Sequence, residues 1–189
     1  PELRAWVEEH GGVFRVGTDS SYRPYVYSEG GQILGMAGDY FQLMSERLDI
    51  SFVTVEYETF SNILSSIRNR EIDVVPFLID QESRREYLNF TPSIYSVQDR
   101  IFMRTDGFDY VDISSLNSRR VGYVEGYALG SALDEQSSSV EIVTYPNELM
   151  ALRALSIGNI DALVADLGVA SYYVAQEHIT NLRVLGDFN

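Results

Sequence analysis

Ile63 to Val75, read as ILSSIRNREIDVV, is the stretch on which the fold turns. Ile63, Leu64 and Ile67 recur at helical spacing, Thr59 can cap the first turn, and the helix is expected to run to Arg68. The continuous apolar run that follows, Ile72 to Leu78 (IDVVPFL), is what a strand covered on both faces requires. The same grammar returns later. Ile63…Ile67…Glu71-Ile72-Asp73-Val74-Val75 is matched by Leu152…Leu155…Asn159-Ile160-Asp161-Ala162-Leu163. Two copies are too few for a solenoid, so the repeat predicts two lobes of similar architecture.

Upstream of the key stretch, Val13 to Gly17 (VFRVG) and residues 50–56 (ISFVTVE) alternate like strands, and residues 38–48 form an amphipathic helix between them. Strand, helix, strand, helix, strand is the βαβαβ order of a parallel sheet. Residues 1–10 read as a helix stopped by Gly11-Gly12, Thr18 to Tyr27 as a polar and aromatic loop, and Gly30-Gly31 as a turn. Downstream, strands are expected at Arg120–Val124, Val140–Thr144 and Ile160–Ala165, with helices at Tyr127–Glu135 and Asn147–Ile157. Between the halves, Leu88 to Arg104 contains two extended stretches broken at Thr91-Pro92-Ser93. A segment of this kind makes a sensible hinge. The boundary is placed near 104–108, giving lobes 1–104 and 105–189.

Composition narrows the function. The 189 residues carry a formal charge of −14, and all 14 bases are arginine. A field of that sign disfavours nucleic acid and anionic lipid, so any anion site needs a local arginine to overcome it. There is no cysteine and only two histidines, His10 and His178. Thiolate chemistry is excluded, and a histidine-rich metal site or catalytic relay is poorly supplied. No metal and no cofactor is expected. No apolar run approaches the roughly 20 residues of a membrane span, and no signal peptide opens the chain. Segments that export or anchor the natural protein are therefore expected outside these residues.

In open parallel α/β sheets, ligands bind beyond the carboxyl ends of the strands. Four segments follow predicted strands. Thr18 to Tyr25 brings Asp19, hydroxyls, Tyr22 and Tyr25 together. Asp80 to Arg85 offers adjacent arginines pointing different ways, one of which can grip a carboxylate through two parallel hydrogen bonds. Gly126 and Tyr127 open a predicted helix whose N-terminal amides favour anions, although glycines at such turns also serve packing alone. Asp166 ends a buried strand, where a carboxylate is a helix cap or a partner for a cation. An arginine from one lobe and an aspartate from the other would grip opposite ends of a zwitterion and favour closure.

The residues also carry a resemblance. Val16-Gly17-Thr18-Asp19…Pro24-Tyr25, Gly35…Gly38-Asp39-Tyr40, Ile72-Asp73-Val74-Val75 and Arg84…Leu88-Asn89-Phe90-Thr91-Pro92…Tyr95 are its first landmarks. Val121-Gly122…Gly126 and Gly158-Asn159-Ile160-Asp161-Ala162…Asp166 continue it. In their order and spacing the chain resembles family 3, amino-acid-type extracellular solute-binding proteins, or Venus flytrap domains, from about Phe14 to Phe188. The resemblance implies a two-lobed, periplasmic-binding-protein-like (type II) α/β fold, each lobe a βαβαβ sheet flanked by helices. It further implies that Arg84 binds a ligand carboxylate and Asp166 its ammonium. Tyr22 and Phe60 would bracket the side chain, Asp19 would stand at the pocket rim, and backbone at Gly126 and Tyr127 would add carboxylate contacts.

Two departures replace polar contacts by bulk: Pro76-Phe77-Leu78-Ile79 before the arginine, and Tyr127 after Gly126. They leave room for an acid other than a standard α-amino acid. The family chain also returns to the first lobe and ends in a helix there, whereas this sequence stops about where that return begins. The opening Leu3…Trp6…His10…Phe14-Arg15-Val16-Gly17 is similar to flytrap domains of membrane-bound bacterial sensors. The resemblance thus implies an extracytoplasmic, inner-membrane-tethered sensor of an amino acid or related carboxylate, signalling to a kinase or cyclase in the same polypeptide. The alternatives are the substrate-binding protein of an ABC permease and, third, a periplasmic enzyme such as a dehydratase. Asp19, Glu125 or Asp166 could serve an enzyme as acid or base, yet nothing in the sequence singles one out.

Overall fold

Strand β1 (Val13–Thr18) is the axis of the first half of the chain in the computed structural model, which describes residues 2–9, 11–96, 98–128 and 139–187. On one side β1 pairs in parallel with β4 (Ser51–Glu56), from Val13 opposite Ser51 to Thr18 opposite Glu56. On the other it meets the chain only at an isolated parallel bridge, Val16 to Val74. The third strand expected over Ile72–Leu78 is therefore not formed. Two local features end the pairing: Pro76 has no N–H to donate, and Phe77 takes a left-handed φ of 51° that turns the backbone away.

Helix α1 (Glu2–Glu9) precedes β1, and the hairpin β2 (Tyr27–Glu29) and β3 (Gln32–Leu34) turns at Gly30-Gly31. Helix α2 (Met36–Leu48) covers one face of the sheet with Ala37 and Phe41, packed among Val16, Val26 and Phe52. Helix α3 (Phe60–Arg68) covers the other with Ile63, Ile67 and the adjoining Ile72. As expected, Thr59 caps α3, its side chain accepting from the Asn62 amide at 3.2 Å. Gly17 lets α3 approach: a Cβ there would lie 2.4 Å from Ile72 Cδ1 and 3.0 Å from Ile63 Cγ2. The short α4 (Glu82–Arg85) ends the described secondary structure of this half.

The chain divides into two compact units between Phe90 and Thr91. This lies earlier than 104–108, because β5 (Asp99–Arg104) hydrogen-bonds entirely within the second sheet. That sheet has the order β7-β6-β8-β5-β9. Its parallel part is β6 (Arg120–Val124) between β7 (Glu141–Tyr145) and β8 (Ala162–Asp166); β5 runs antiparallel to β8 and to β9 (Leu182–Asp187). Helix α5 (Glu148–Ser156) is capped by Asn147, and α6 (Leu167–Gln176) follows β8 directly. The expected strands and the Asn147–Ile157 helix match within two residues; α6 and β9 were not anticipated. The helix expected at Tyr127–Glu135 lies, from residue 129 on, outside the described residues, and Tyr127 and Ala128 stand in a turn.

The internal repeat extends to a matched pair of clamps. In the first unit the Arg15 amide, Nε and Nη2 donate to the Asp73 carboxylate at 2.8, 3.0 and 2.9 Å. In the second, the same three atoms of Arg120 donate to Asp161 at 2.9, 3.2 and 2.9 Å. Each clamp ties a strand to the turn after a helix, and each arginine holds its aspartate below the usual carboxylate range.

Leu155 on α5 is fully buried. Truncation leaves a cavity that close-packed surroundings fill only in part, so Leu155→Ala should lose about 3 kcal/mol of stability while Leu155→Met stays under about 1.5 kcal/mol. Urea unfolding followed by circular dichroism measures both; equal midpoints would place Leu155 outside the core.

Candidate functional site

In the first unit, parallel pairing brings the segments after β1, after β4 and after the Val74 bridge to one end of the sheet. Asp19 follows β1 and is only 5% exposed. Its Oδ1 accepts from the Ser21 amide at 2.7 Å, the Ser21 hydroxyl at 2.6 Å and the Tyr22 amide at 3.1 Å. The carboxylate expected at a pocket rim thus builds the turn that carries Tyr22. The Tyr22 ring lies 5.4 Å from that of Tyr25, which in turn lies 6.0 Å from Phe77. Thr18, ending the strand, is locked by hydroxyl contacts to Thr54 at 2.6 Å and Ser28 at 3.2 Å.

Phe60 and Arg84 form a second group. Phe60 opens α3, and the Arg84 guanidinium carbon lies 6.0 Å from its ring centre. The two arginines of α4 divide: Arg85 is a surface residue paired with Asp80 at 2.6 Å, whereas Arg84 is 5% exposed. Arg84 Nη1 donates to the Ile79 carbonyl at 2.7 Å, and burial pulls its pKa down. The stretch that departs from the family pattern therefore supplies, through Ile79, a backbone acceptor that orients this guanidinium.

In the second unit β6, β7 and β8 end together. Beyond β6, the Tyr127 amide donates to the Val124 carbonyl at 3.2 Å. That amide, expected to meet a ligand carboxylate, closes a turn around Gly126 here. The Tyr127 hydroxyl donates to Glu148 Oε2 at 3.2 Å, and Glu148 is fully buried at the start of α5. Asp166 ends β8, 2% exposed, and its Oδ1 accepts from the Val169 amide at 2.8 Å as the N-cap of α6. The helix-cap reading holds for that oxygen.

Register places Asp99 of β5 directly opposite Asp166 of β8. Residues paired in this way share a face of the sheet, with Cβ atoms about 5 Å apart. Burial first and the Asp166 charge second push Asp99 up to about 6; the neighbouring Arg100 pulls the other way. Sequence reading missed Asp99 and Glu148. Nothing local marks either, since each acquires its setting from a residue more than twenty positions away. Among the described residues no His, Cys, Asp and Glu group is placed to hold a metal, and no helix is long and apolar enough to cross a membrane.

The family described as bacterial extracellular solute-binding proteins, family 3, matches residues 14–166. The virulence sensor protein BvgS of Bordetella pertussis is 25% identical over 180 residues, covering 95% of this chain and 14% of the sensor. The lysine/arginine/ornithine-binding periplasmic protein of Escherichia coli is 24% identical over 161 residues, 83% of this chain and 62% of that protein. This chain thus spans less than two thirds of either relative. Among solved structures, the VFT2 domain of B. pertussis BvgS matches with a TM-score of 0.85 at 24% identity, covering 100% of this chain and 80% of that one. A histidine kinase sensor domain with similarity to periplasmic binding proteins also reaches 0.85, at 23% identity, covering 93% of this chain and 77% of that one. The structural likenesses establish the fold, the two-lobed α/β fold of periplasmic binding proteins.

Proposed function

We propose that this chain, which belongs to the bacterial extracellular solute-binding proteins of family 3, is a non-enzymatic sensor domain that closes on an amino acid or related carboxylate. The observation that carries the reading is Arg84, a guanidinium 5% exposed at the carboxyl end of a parallel sheet. A buried cation is costly, and a ligand carboxylate offsets that cost through charge-assisted hydrogen bonds. Asp166, at the equivalent end of the second sheet, takes the ligand's ammonium. Phe60 and Tyr22 bracket the remainder of the ligand. Gly126 and Tyr127 shape its carboxylate end by their turn, and Asp19 supports Tyr22.

The sensor assignment is supported by the likeness to BvgS, which covers 95% of this chain. On this reading the domain lies outside the inner membrane, tethered to it, and its closure drives a membrane-bound kinase or cyclase in the same polypeptide. Delivery to an ABC permease is the second reading, favoured by the likeness to the lysine/arginine/ornithine-binding protein. The gene encoding the whole protein separates them by the domains it joins to this one.

A thermal-shift screen of the chain against the common amino acids, dicarboxylates and polyamines tests the binding reading. A ligand at about 100 times its Kd should add about 2.7 kcal/mol of stability. A shift from an acid or amino acid supports the proposal. Shifts from polyamines alone, or from nothing, would overturn it.

A further inference from the structure

Glu148, a carboxylate with 0% exposure, has no role in the site proposed above. Its Oε2 accepts from the Tyr127 hydroxyl at 3.2 Å, which joins it to the Gly126–Tyr127 turn beyond β6. We infer that Glu148 is a positioning residue for ligand binding: through the Tyr127 hydroxyl it fixes that turn in advance of the ligand. The inference rests on the reading in which Gly126 and Tyr127 shape the ligand's carboxylate end, and it adds the residue that holds them.

The turn is built on a residue with much conformational freedom to lose. Gly126 stands at a left-handed φ of 82°, and glycine orders at a greater entropic cost than any other residue. Backbone bonds tie the turn to the sheet. The Glu125 amide donates to the Tyr145 carbonyl at the end of β7, at 2.9 Å, and the Tyr127 amide to the Val124 carbonyl at the end of β6, at 3.2 Å. The Tyr127 hydroxyl adds a tether to a third element, α5, across 21 positions of sequence. That helix is a firm anchor: Ala151, Leu152, Ala154 and Leu155 are buried in the core, and Asn147 caps the first turn, accepting from the Met150 amide at 2.9 Å.

A buried carboxylate is desolvated, so packing alone favours an apolar side chain at this place. What Glu148 provides instead is a fixed acceptor on a rigid helix, and supporting contacts of this kind keep binding groups near their productive geometry. Without the tether, ligand binding itself has to order the turn, and ordering one residue lowers affinity by about tenfold. An acceptor oxygen is sufficient for this role, and negative charge is not required. That separates positioning from direct contact with the ligand, in which the charge of Glu148 would attract an ammonium.

One variant removes the tether and another preserves it. Tyr127→Phe/Glu148→Leu takes away donor and acceptor together, so neither side of this hydrogen bond is stranded in the interior. Glu148→Gln keeps an acceptor oxygen without the charge. Both are compared with the unmodified chain by calorimetric titration with L-arginine, L-glutamine and any tighter acid from the screen, and by ligand-free amide hydrogen exchange read by mass spectrometry. The double variant should bind about tenfold more weakly and exchange the amides of residues 124–128 about tenfold faster, with exchange in α5 unchanged. Glu148→Gln should stay within about threefold of the unmodified chain in both measurements. Undiminished affinity in the double variant would overturn the inference and leave the binding reading intact. Affinity lost equally in Glu148→Gln would also overturn it, because the ligand would then need the charge. Faster exchange spread over the whole second unit would do the same, since it marks a structural role alone. If the unmodified chain binds neither amino acid and the whole screen is silent, the inference and the reading beneath it fall together.

Discussion

Arg84→Ala should abolish the stabilisation by any acid ligand found in the screen, with affinity lowered on the order of a hundredfold or more. A carboxylate held by two charge-assisted hydrogen bonds gains about 1.5–3 kcal/mol from each, and each 1.4 kcal/mol is a factor of ten in Kd. The variant also gives up the Arg84–Ile79 hydrogen bond, so its ligand-free melting temperature is the baseline against which the loss is read. Arg84→Lys keeps the charge but not the planar two-pronged donor, and should recover only part of the affinity. Arg85→Ala, which removes a surface partner of Asp80, should bind as the unmodified chain does. If Arg84→Ala retains the full thermal shift, the carboxylate is held elsewhere, and the proposed orientation of the ligand falls with it.

Gly35→Ala should be the most damaging single-atom change in the first unit. Gly35 precedes α2 at φ 76° and ψ −165°, a region that side-chain-bearing residues rarely enter. A Cβ there would stand 2.4 Å from the Pro24 carbonyl oxygen and 2.8 Å from that of Tyr25. Those carbonyls accept from the Met36 and Ala37 amides at 3.4 and 2.9 Å, joining the first turn of α2 to the loop that carries Tyr22. Backbone strain alone costs about 1–3 kcal/mol, and relieving the clash breaks the amide contacts as well. A melting temperature lower by several degrees or more is expected, with weakened ligand binding because the Tyr22–Tyr25 loop loses its support. Gly30→Asn is the control: φ is 58°, which asparagine tolerates, and nothing lies within 4 Å of its Cβ. If both variants melt together, the close approach at Gly35 is not structurally important.

Information in this sequence is local for some elements and non-local for others. Helices α3 and α5 were legible because their information is local: a capping side chain three residues before the amide it accepts, then apolar residues at helical spacing. The third strand of the first unit was overread. Pro76 was the available warning, since a proline inside an apolar run argues against a ladder on that side. The lobe boundary was set too late because β5 reads as a strand from its own residues, and those residues do not say which sheet it will join. The arginine clamps escaped notice for a similar reason. Their hydrogen bonds join residues 58 and 41 positions apart, although the repeated Ile-Asp pairs of Ile72-Asp73 and Ile160-Asp161 marked one half of each.

By itself the sequence determined the α/β class, the internal duplication, the order of most elements and the family to which the chain belongs. Those properties depend on hydrophobic period, capping chemistry and the spacing of landmarks, all of which act over a few residues at a time. Only the tertiary structure decided that β5 enters the second sheet, that Arg84 is buried while Arg85 is not, and that Asp99 stands beside Asp166. Each of these depends on strand register or packing between distant segments, where a shift of one residue carries a side chain to the opposite face, and local propensity does not contain that choice.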